Sequence, residues 1–354
     1  MIIEQFLPAL HYGDAVGNST LSFHRYLLAR GIESRIIAIT IDPRLKEFAI
    51  PFENYSENPT ARSIKVLHFA VPSPLTDFFL RIEGKKVMIY HNITPSHFFV
   101  DFSDQLTRMT HEGREHLKQL KGCFDLCIAD SGYNAEELIR FGYNNVHVFP
   151  LLVDLSDYET PYSVPYYNLL KDDRKTIIFV GRVSPNKKIE DLIKVLYFYQ
   201  KYISPSIRLI IAGNTNALPK YFQSLRELVQ RLFHSPDVVF FTQHIPFEEL
   251  LAVYRLADVF LSMSEHEGFC LPLIESCYLR VPVVAYGAGA VPETLDNSGI
   301  VFNEKDFPRI AGLLEQVIHD EKLREKLQSL QVERIRNYKT STDPHQLFGM
   351  INEL

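Results

Sequence analysis

Residues 176–202 read TIIFVGRVSPNKKIEDLIKVLYFYQKY and contain a complete strand–loop–helix unit. The run Thr176–Val180 is rich in Ile, Val and Phe and shows little alternation, which is typical of a strand buried on both faces. A short loop with Gly181 and Pro185 follows, and Lys187–Tyr202 then carries apolar residues at helical spacing. The stretch therefore predicts one strand of a parallel sheet followed by a crossover helix.

The same alternation continues over nearly the whole chain. The predicted strands are Ile2–Leu7, Arg35–Ile41, Lys65–Val71, Val87–Tyr90, Leu126–Ala129, Val146–Phe149, Thr176–Val180, Arg208–Ala212, Val238–Thr242, Val259–Ser262 and Pro282–Ala285. The predicted helices include Leu21–Ala29, Lys187–Tyr202, Lys220–Phe233, Phe247–Arg255 and Leu323–Leu354. The pattern fails between Asp154 and Arg174, where two prolines and mixed polar residues interrupt it, so we expect a domain linker there. A chain of 354 residues is long enough for two α/β domains with parallel sheets.

Composition excludes several classes of protein. A net charge of −6 argues against nucleic acid as the main partner, because a phosphate backbone requires a basic surface. No apolar run reaches the length of about 18 residues that a transmembrane helix needs. The opening residues MIIEQFLPALHYGD lack a basic start and predict a strand rather than a signal peptide. The four cysteines show no Cys-x-x-Cys pair, so we expect free thiols in a reducing cytoplasm.

The first candidate site is the loop HYGDAVGNST at residues 11–20, directly after the first predicted strand. Gly17 and Asn18 precede the predicted helix Leu21–Ala29, and backbone N–H groups at a helix N-terminus suit a phosphate. The loop is neither Gly-x-Gly-x-x-Gly nor a Walker A loop, which disfavours the common dinucleotide and nucleotide-triphosphate folds. The alternative that these glycines only turn the strand into the helix stays open.

The second candidate site is the loop GRVSPNKK at residues 181–188. Arg182 offers a planar fork for bidentate contact with a phosphate, and Lys187 adds a compact point charge. Both residues lie where a helix N-terminus adds its dipole, so together they can hold a diphosphate. Solvent-exposed basic residues without a ligand are the alternative.

The third candidate site is the segment EHEGFCLPLIE at residues 265–275, after the strand Val259–Ser262. Pro272 suits the first turn of the next helix, so Glu267 in the loop and Glu275 in the helix flank one helix mouth. Two carboxylates in this arrangement fit a glycosidase pair, but they fit a clamp for sugar hydroxyls equally well. For Glu275 an ordinary capping role is a further alternative.

These residues together resemble glycosyltransferase family 4. The resemblance rests on Gly181-Arg182 with Lys187, on Glu267 and Glu275, on Val281-Pro-Val-Val284, on Phe247–Leu261, on residues 289–293 (GAVPE), and on Ala129-Asp-Ser131 with Asn134. It covers most of the chain and is more specific in the second half. It implies the α/β GT-B fold, with two Rossmann-like domains whose parallel sheets face each other across a cleft. Residues 1–160 would form an acceptor-side domain and residues 161–335 a nucleotide-sugar-binding domain, and a C-terminal helix at residues 336–354 would cross back to the first domain.

The resemblance also implies roles for individual residues. The expected catalytic residues are His91, Arg182, Lys187 and Glu267. The residues expected to bind the donor are Gly17, Arg182, Lys187, Ile245, Glu267, Gly268, Phe269, Cys270, Leu271 and Glu275. Among these, Arg182 and Lys187 would hold the diphosphate, Glu267 the sugar and Glu275 the ribose. Gly17 would approach the diphosphate from the first domain, Ile245 would lie near the base, and His91 near the reacting carbon.

The sequence departs from the family pattern at two positions. Cys270 stands where the family often has Gly or another small residue, and Lys188 replaces the common Gly after the lysine. We expect Lys188 to alter the entrance to the helix without abolishing phosphate binding. The loop around Gly17 matches only loosely, which leaves the acceptor undetermined.

The expected activity is retaining transfer of a mannose-type or glucose-type hexose from a nucleotide-diphosphate sugar to a glycan or lipid-linked saccharide. No Asp-x-Asp motif occurs, so we expect no metal and no cofactor beyond the donor substrate. We expect a cytoplasmic protein, and peripheral contact of Arg114, Lys118 and Lys121 with anionic lipid stays open beside a merely solvated helix face. A sugar-nucleotide epimerase and a non-catalytic sugar-nucleotide-binding subunit are the rival hypotheses.

Overall fold

The computed structural model describes residues 1–57 and 63–354, and these divide into two compact units. The first unit comprises Met1–His97, Asp104–Asp154 and Tyr338–Leu354. The second unit comprises Phe98–Ser103 and Leu155–Asn337. None of the helices in the described residues combines the length and the apolar character needed to cross a bilayer.

The first unit is built on a parallel sheet, which has seven strands within the described residues. Its strands are β1 (Ile2–Leu10), β2 (Glu33–Ile41), β3 (Ile50–Pro51), β4 (Ser63–Phe69), β5 (Lys85–Tyr90), β6 (Leu126–Ala129) and β7 (Val146–Val148), in the order β3-β2-β1-β4-β5-β6-β7. Its helices are α1 (Ala15–Ala29), α2 (Pro74–Arg81), α3 (Asp104–Gln119) and α4 (Gly132–Arg140). Apolar clusters around Phe6 and Phe23 form two parts of the core.

The second unit contains a parallel sheet of six strands within the described residues. Its strands are β8 (Lys175–Val180), β9 (Ile207–Ala212), β10 (Val239–Gln243), β11 (Val259–Ser262), β12 (Val283–Tyr286) and β13 (Ile300–Phe302), in the order β10-β9-β8-β11-β12-β13. Its helices are α5 (Val164–Leu170), α6 (Ile189–Tyr202), α7 (Pro219–Leu232), α8 (Phe247–Leu256), α9 (Leu271–Tyr278), α10 (Val291–Leu295), α11 (Phe307–His319) and α12 (Glu321–Ser341). The last helix of the chain is α13 (Pro344–Asn352), in the first unit.

Short 3-10 helices lie between these elements at Pro43–Leu45, Phe52–Asn54, Ser96–Phe98, Leu155–Glu159, Pro185–Lys187 and Pro236–Val238. Both sheets have loops that follow their strands at the carboxyl edge, where open α/β sheets bind ligands. The residues singled out in the sequence therefore lie at these edges, after β1 and β5 in the first unit and after β8 and β11 in the second.

The structure differs from the predicted elements at several points. The short edge strands β3 and β13 have no predicted counterpart, because each is too brief to show a pattern. The predicted helix Leu323–Leu354 is interrupted before Pro344: Asp343 is extended, and its side chain accepts a hydrogen bond from the His345 amide to begin α13. The irregular stretch 154–174 contains α5, whose N-cap is Ser163.

Candidate active site

The loops after β8 and β9 approach each other backbone to backbone. A Cβ atom placed on Gly213 would lie 1.8 Å from the Gly181 carbonyl oxygen, so only glycine fits there. Gly181 itself has φ +149°, and its amide donates to the Ala212 carbonyl over 2.9 Å. This tight packing turns the chain outward at Arg182, whose side chain is exposed.

The adjoining loop places Lys187 against Glu267. Lys187 Nζ donates to Glu267 Oε2 over 2.6 Å, and their side chains are 15% and 5% exposed. The second carboxylate oxygen, Oε1, is buried and accepts no hydrogen bond from any described residue. A buried carboxylate oxygen that accepts no hydrogen bond lowers the stability of the folded state. Oε1 is therefore suited to accept a hydrogen bond from a hydroxyl group of a ligand.

Backbone contacts hold the two loops together. The Asn186 side-chain amide donates to the His266 carbonyl over 3.1 Å, and the Glu265 amide donates to the Asn186 carbonyl over 2.8 Å. Because these bonds join residues on either side of the Lys187–Glu267 pair, they fix its geometry before any ligand binds.

Glycine 289 supports Glu267 from behind. Gly289 has φ +58°, and a Cβ atom there would lie 2.4 Å from the Glu267 carbonyl oxygen. The next amide, Ala290 N–H, donates to that same carbonyl over 3.0 Å. The GAVPE segment therefore acts as a close backbone support for the Glu267 loop.

The N-termini of α6 and α9 face the same region and share an unusual feature. Their N-cap residues, Lys188 (φ 51°, ψ 49°) and Cys270 (φ 71°, ψ 66°), are left-handed, and neither side chain caps its helix. These are the two positions at which the sequence departs from the expected family pattern, which has Gly at 188 and often Gly or another small residue at 270. The glycine-like backbone is retained although the side chain is not glycine, which carries a strain of about 1–2 kcal/mol per residue.

Neighbouring charges surround both N-caps. Lys188 Nζ lies 3.4 Å from Glu265 and 3.6 Å from Glu190. Burial raises the pKa of the Cys270 thiol well above its usual value, and the Glu267 carboxylate adds to that rise through its charge and through a hydrogen bond with the thiol. Both effects favour the protonated thiol.

Glu275 is bound differently from Glu267. Its Oε1 accepts a hydrogen bond from the Tyr158 hydroxyl over 2.5 Å, and its Oε2 accepts one from the Tyr254 hydroxyl over 2.6 Å. Burial raises the pKa of this carboxyl. The predicted contact of Glu275 with a ribose stays a prediction. A ribose hydroxyl would have to share the carboxylate with the two tyrosine hydroxyls. Tyr158, from the irregular linker stretch, had no periodic signal that could have identified it.

The other residues predicted to bind the donor in the second unit lie in two loops. Gly268, Phe269 and Leu271 follow Glu267 directly, and the Phe269 carbonyl accepts a hydrogen bond from Thr294 Oγ1 over 2.5 Å. Ile245 is partly exposed in the short loop between β10 and α8.

The sequence predicts Gly17 in a loop, but the structure places it in helix α1. Helix α1 begins at Ala15, so Gly17 lies in its first turn, and the Gly17 amide donates to the Asp14 side chain over 3.1 Å. Asp14 caps the helix because a carboxylate accepts an N-terminal amide and complements the dipole. The prediction of a helix start at Leu21 is wrong, and contact of Gly17 with a diphosphate stays a prediction that would compete with Asp14. An Asp just before the apolar run was the signal for this cap.

His91 follows β5 and is enclosed within the first unit. Its Nδ1 lies 2.8 Å from Asp130 Oδ2, its Nε2 lies 2.9 Å from His68 Nδ1, and its side chain is 2% exposed. His68 and Asp130 were not assigned a role from sequence, although Asp130 lies in the family-like stretch Ala129-Asp-Ser131. The predicted role of His91 near the reacting carbon stays a prediction.

The basic face of α3 is only partly available to a ligand. Arg114 donates to the Ile93 carbonyl over 2.8 Å and pairs with Glu137, and Lys118 pairs with Glu115 over 2.6 Å. Arg114 is therefore a structural residue rather than part of a surface patch.

The second half of the chain is similar in sequence to known glycosyltransferases. Residues 167–330 match the family model described as Glycosyl transferases group 1. D-inositol 3-phosphate glycosyltransferase of Corynebacterium efficiens is 28% identical over 182 residues, which is 51% of this chain and 43% of that protein. O-antigen chain mannosyltransferase B of Escherichia coli is 26% identical over 148 residues, which is 42% of this chain and 38% of that protein. Each match spans less than half the length of the relative.

A solved structure extends the likeness to the whole chain. HepE of Anabaena, crystallised with UDP-glucose, aligns with a TM-score of 0.73 over 99% of this chain and 98% of its own, at 18% sequence identity. At this identity the likeness shows the fold alone. Together with the two parallel sheets, it confirms the predicted α/β fold of the GT-B type with two Rossmann-like domains.

Proposed function

We propose that this glycosyltransferase family 4-like chain, matched over residues 167–330, transfers a hexosyl group from a nucleotide-diphosphate sugar to a hydroxyl of a glycan or a lipid-linked saccharide. The transfer retains the anomeric configuration, requires no metal, and serves the synthesis of polysaccharides or glycoconjugates. The mannosyltransferase and glycosyltransferase relatives support this class of reaction.

The observation that carries the proposal is the Lys187–Glu267 pair with its unsatisfied oxygen. Glu267 Oε1 is buried and has no donor among the described residues, while Lys187 holds the other oxygen over 2.6 Å. A sugar hydroxyl is a donor of the right size for that oxygen. Arg182, which makes no side-chain hydrogen bond or ion pair in the part of the chain that the structure describes, is left to bind an anion.

The same residues account for the chemical step. As the bond from the sugar to the diphosphate breaks, negative charge grows on the departing phosphate, and Arg182 and Lys187 stabilise it. Glu267 holds the sugar in place, so the acceptor hydroxyl meets the reacting carbon in a defined orientation. For retention without a covalent intermediate, the departing phosphate takes the proton of the acceptor hydroxyl on the same face of the sugar.

The donor base is tested by binding. Thermal unfolding of the full chain with UDP, GDP, ADP and TDP should show a rise in melting temperature with one of them, because a ligand that binds only the folded state stabilises it. Both GDP-mannose and UDP-hexoses fit the site. A failure of all four nucleotides to raise the melting temperature would refute the proposal.

Turnover then tests the residue roles. Arg182→Ala should lower the rate of hexosyl transfer by at least about a hundredfold. His111→Ala, on the exposed side of α3, is the matched control and should leave the rate unchanged. Equal effects of the two substitutions would contradict the assignment of Arg182 to the diphosphate.

The rival functions give different products. An epimerase would isomerise the free nucleotide sugar in the absence of an acceptor. A non-catalytic binding subunit would release no nucleotide when an acceptor is added. Nucleotide release that depends on the acceptor, without isomerised donor, is the result expected here.

A further inference from the structure

A line of hydrogen bonds inside the first unit ends at His91. It runs from Gln5 in β1 and Thr20 in α1 to His68 at the end of β4, then to His91 and to Asp130 after β6. We call these five residues the histidine network. Gln5 and Thr20 are 0% exposed, and His68 and Asp130 are each 3% exposed. Such enclosure means that each proton in the network must be placed by the neighbouring side chains.

The proton positions can be followed from Thr20 inward. The single hydroxyl hydrogen of Thr20 is donated to the Val16 carbonyl over 2.8 Å, so its oxygen can only accept from His68 Nε2, which lies 3.3 Å away. The Gln5 amide nitrogen donates to the Thr20 carbonyl over 3.2 Å, which turns the Gln5 oxygen toward His68 Nε2 at 3.1 Å. Both neighbours of His68 Nε2 are therefore acceptors, and this nitrogen carries the hydrogen.

The other nitrogen of His68 is consequently an acceptor. Burial lowers the pKa of His68 well below its usual value, which favours a neutral ring. A neutral imidazole with a hydrogen on Nε2 has a bare lone pair on Nδ1. His68 Nδ1 lies 2.9 Å from His91 Nε2, and the bond between them needs a hydrogen that only His91 can supply.

We propose that the histidine network holds His91 as an imidazolium: Nε2–H donates to His68, Nδ1–H donates to the Asp130 carboxylate, and the ring cannot act as a general base. His68 and Asp130 are then positioning residues that set the protonation of His91. This assignment concerns atoms of this chain alone and does not depend on any bound ligand.

The ring geometry agrees with this assignment. The planes of His68 and His91 differ by 3°, and their centroids are 5.2 Å apart. With 2.9 Å between the facing nitrogens, the rings meet edge to edge in one plane, which directs the His91 N–H straight at the His68 lone pair. A face-to-face stack would not place two ring nitrogens at hydrogen-bond distance in this way.

The groups that face His91 come from several elements of the first unit. Asp130, on the loop after β6, is its direct counterion at 2.8 Å, and the neutral His68 faces it from β4. Gln5 and Thr20 contribute uncharged groups from β1 and α1. Arg114 on α3 donates to the Ile93 carbonyl in the loop after β5 and is paired with Glu137, so its charge is balanced.

For the reaction, this inference deepens the proposed function and rests on it. An imidazolium at the end of β5 supplies a fixed positive charge and cannot take the proton of an acceptor hydroxyl. Another base must therefore take the proton of the acceptor hydroxyl, and in the proposed function that base is the departing phosphate.

The proton assignment is tested directly by nuclear magnetic resonance. The full chain is labelled with nitrogen-15 in its histidines, and His91 is assigned with His91→Gln. At about pH 7.5, where an ordinary imidazole is neutral, both ring nitrogens of His91 should be protonated. His24 is an internal reference, because burial lowers its pKa and it should show one bare nitrogen. A bare Nε2 on His91 would overturn the proposal.

A substitution tests the positioning role of Asp130. In Asp130→Asn the side chain keeps its shape but no longer balances the charge, and its amide N–H can donate to a bare Nδ1, so His91 should lose its proton more readily than in the unmodified chain. The rate of hexosyl transfer in this variant should fall by at least about tenfold as the proton is lost with rising pH, whereas the wild-type rate stays level. His24→Gln, a change at a buried histidine outside the network, should keep the wild-type profile.

The outcomes separate the two proposals. A wild-type spectrum and a wild-type pH profile in Asp130→Asn would refute the positioning role. If no donor supports transfer, the proposed function fails, while the spectrum of the unmodified chain still decides the protonation of His91.

Discussion

The helix that follows the first strand of each unit begins in an opposite way. In the first unit, α1 is capped by Asp14, whose carboxylate accepts the Gly17 amide over 3.1 Å. In the second unit, α6 begins at the left-handed Lys188, whose own side chain does not cap it, and the Ile189 amide donates instead to the Tyr221 hydroxyl over 3.0 Å. Helix α9, after β11, likewise begins at the left-handed Cys270 without a side-chain cap.

The difference concerns whether the N-terminus of a helix is still available to bind an anion. A capped terminus has already bonded one of its free amides and placed a negative charge beside its dipole, so it disfavours an anion. At α6 the Ile189 amide is already bonded, and Glu190 and Asp191 lie in the first turn. The N-terminus of α9 has no acidic residue in its first turn, so α9 together with Arg182 and Lys187 is better suited to a phosphate. Two similar Rossmann-like units thus differ at these helix N-termini, and we expect the diphosphate to depend on the second unit more than on Gly17.

The largest effect is expected at the pair beside the uncapped termini. Lys187→Met leaves the Glu267 carboxylate buried without its cationic partner, and we expect the free energy of unfolding to fall by about 3 kcal/mol and turnover by at least about a hundredfold. The double variant Lys187→Met/Glu267→Gln should recover most of the stability but none of the turnover. Urea unfolding and initial rates measure both quantities.

The matched control for this pair is Lys118→Met, which breaks the exposed pair with Glu115. It should change neither stability nor turnover measurably. If the double variant were no more stable than Lys187→Met, the Lys187–Glu267 contact would not be the buried ion pair described above.

A smaller effect is expected at the support behind Glu267. Gly289→Ala introduces a Cβ atom 2.4 Å from the Glu267 carbonyl oxygen at a positive φ, so the loop must shift. We expect a loss of about 2 kcal/mol in the free energy of unfolding and a fall in turnover of about tenfold. Gly312→Ala is the control, because its Cβ meets nothing within 4 Å and alanine favours the helix. A variant Gly289→Ala with wild-type turnover would show that Glu267 tolerates movement.

The capped terminus provides the next test. Asp14→Ala should lower the free energy of unfolding by about 1 kcal/mol through loss of the cap. The affinity for the bound nucleoside diphosphate, measured by calorimetry, should stay within about threefold of wild type, since a single charge at a helix end contributes about 1 kcal/mol or less. Asp306→Ala, which removes the cap of α11, should have a similar effect on stability. Much tighter nucleotide binding by Asp14→Ala would place the anion at α1 instead.

The smallest effect is expected at the left-handed N-cap of α6. Lys188→Gly relieves a strained backbone but loses weak contacts with Glu190 and Glu265, so a net gain of about 0.5 kcal/mol is expected. Lys194→Gly, inside the same helix, should instead cost about 1 kcal/mol. Thermal unfolding compares the two. A loss of stability in Lys188→Gly would mean that its ion pairs outweigh the strain.

Much of the fold was predictable because buried parallel strands are nearly continuous apolar runs. The predicted strands Leu126–Ala129 and Val259–Ser262 coincide with β6 and β11. The resemblance to family 4 is confirmed by the match over residues 167–330. The start of α1 was placed too late, because Gly17 and Asn18 suggested a loop whereas the Asp14 cap begins the helix at Ala15. A capping residue such as Asp14 therefore determines where this helix begins more strongly than Gly17 and Asn18 do.

The sequence by itself determined the alternation of strands and helices, and hence that Arg182, Lys187, Glu267 and His91 follow the ends of strands. Only the tertiary structure decided what each of them contacts. Lys187 meets Glu267 across 80 residues of chain, and Glu275 is held by Tyr158 across 117. Local patterns report the burial and periodicity of neighbouring residues, whereas hydrogen bonds between distant residues depend on how the loops at the sheet edge pack. The clearest case is the hydrogen-bonded surroundings of His91, which bring together Gln5, Thr20, His68 and Asp130 from separate parts of the chain.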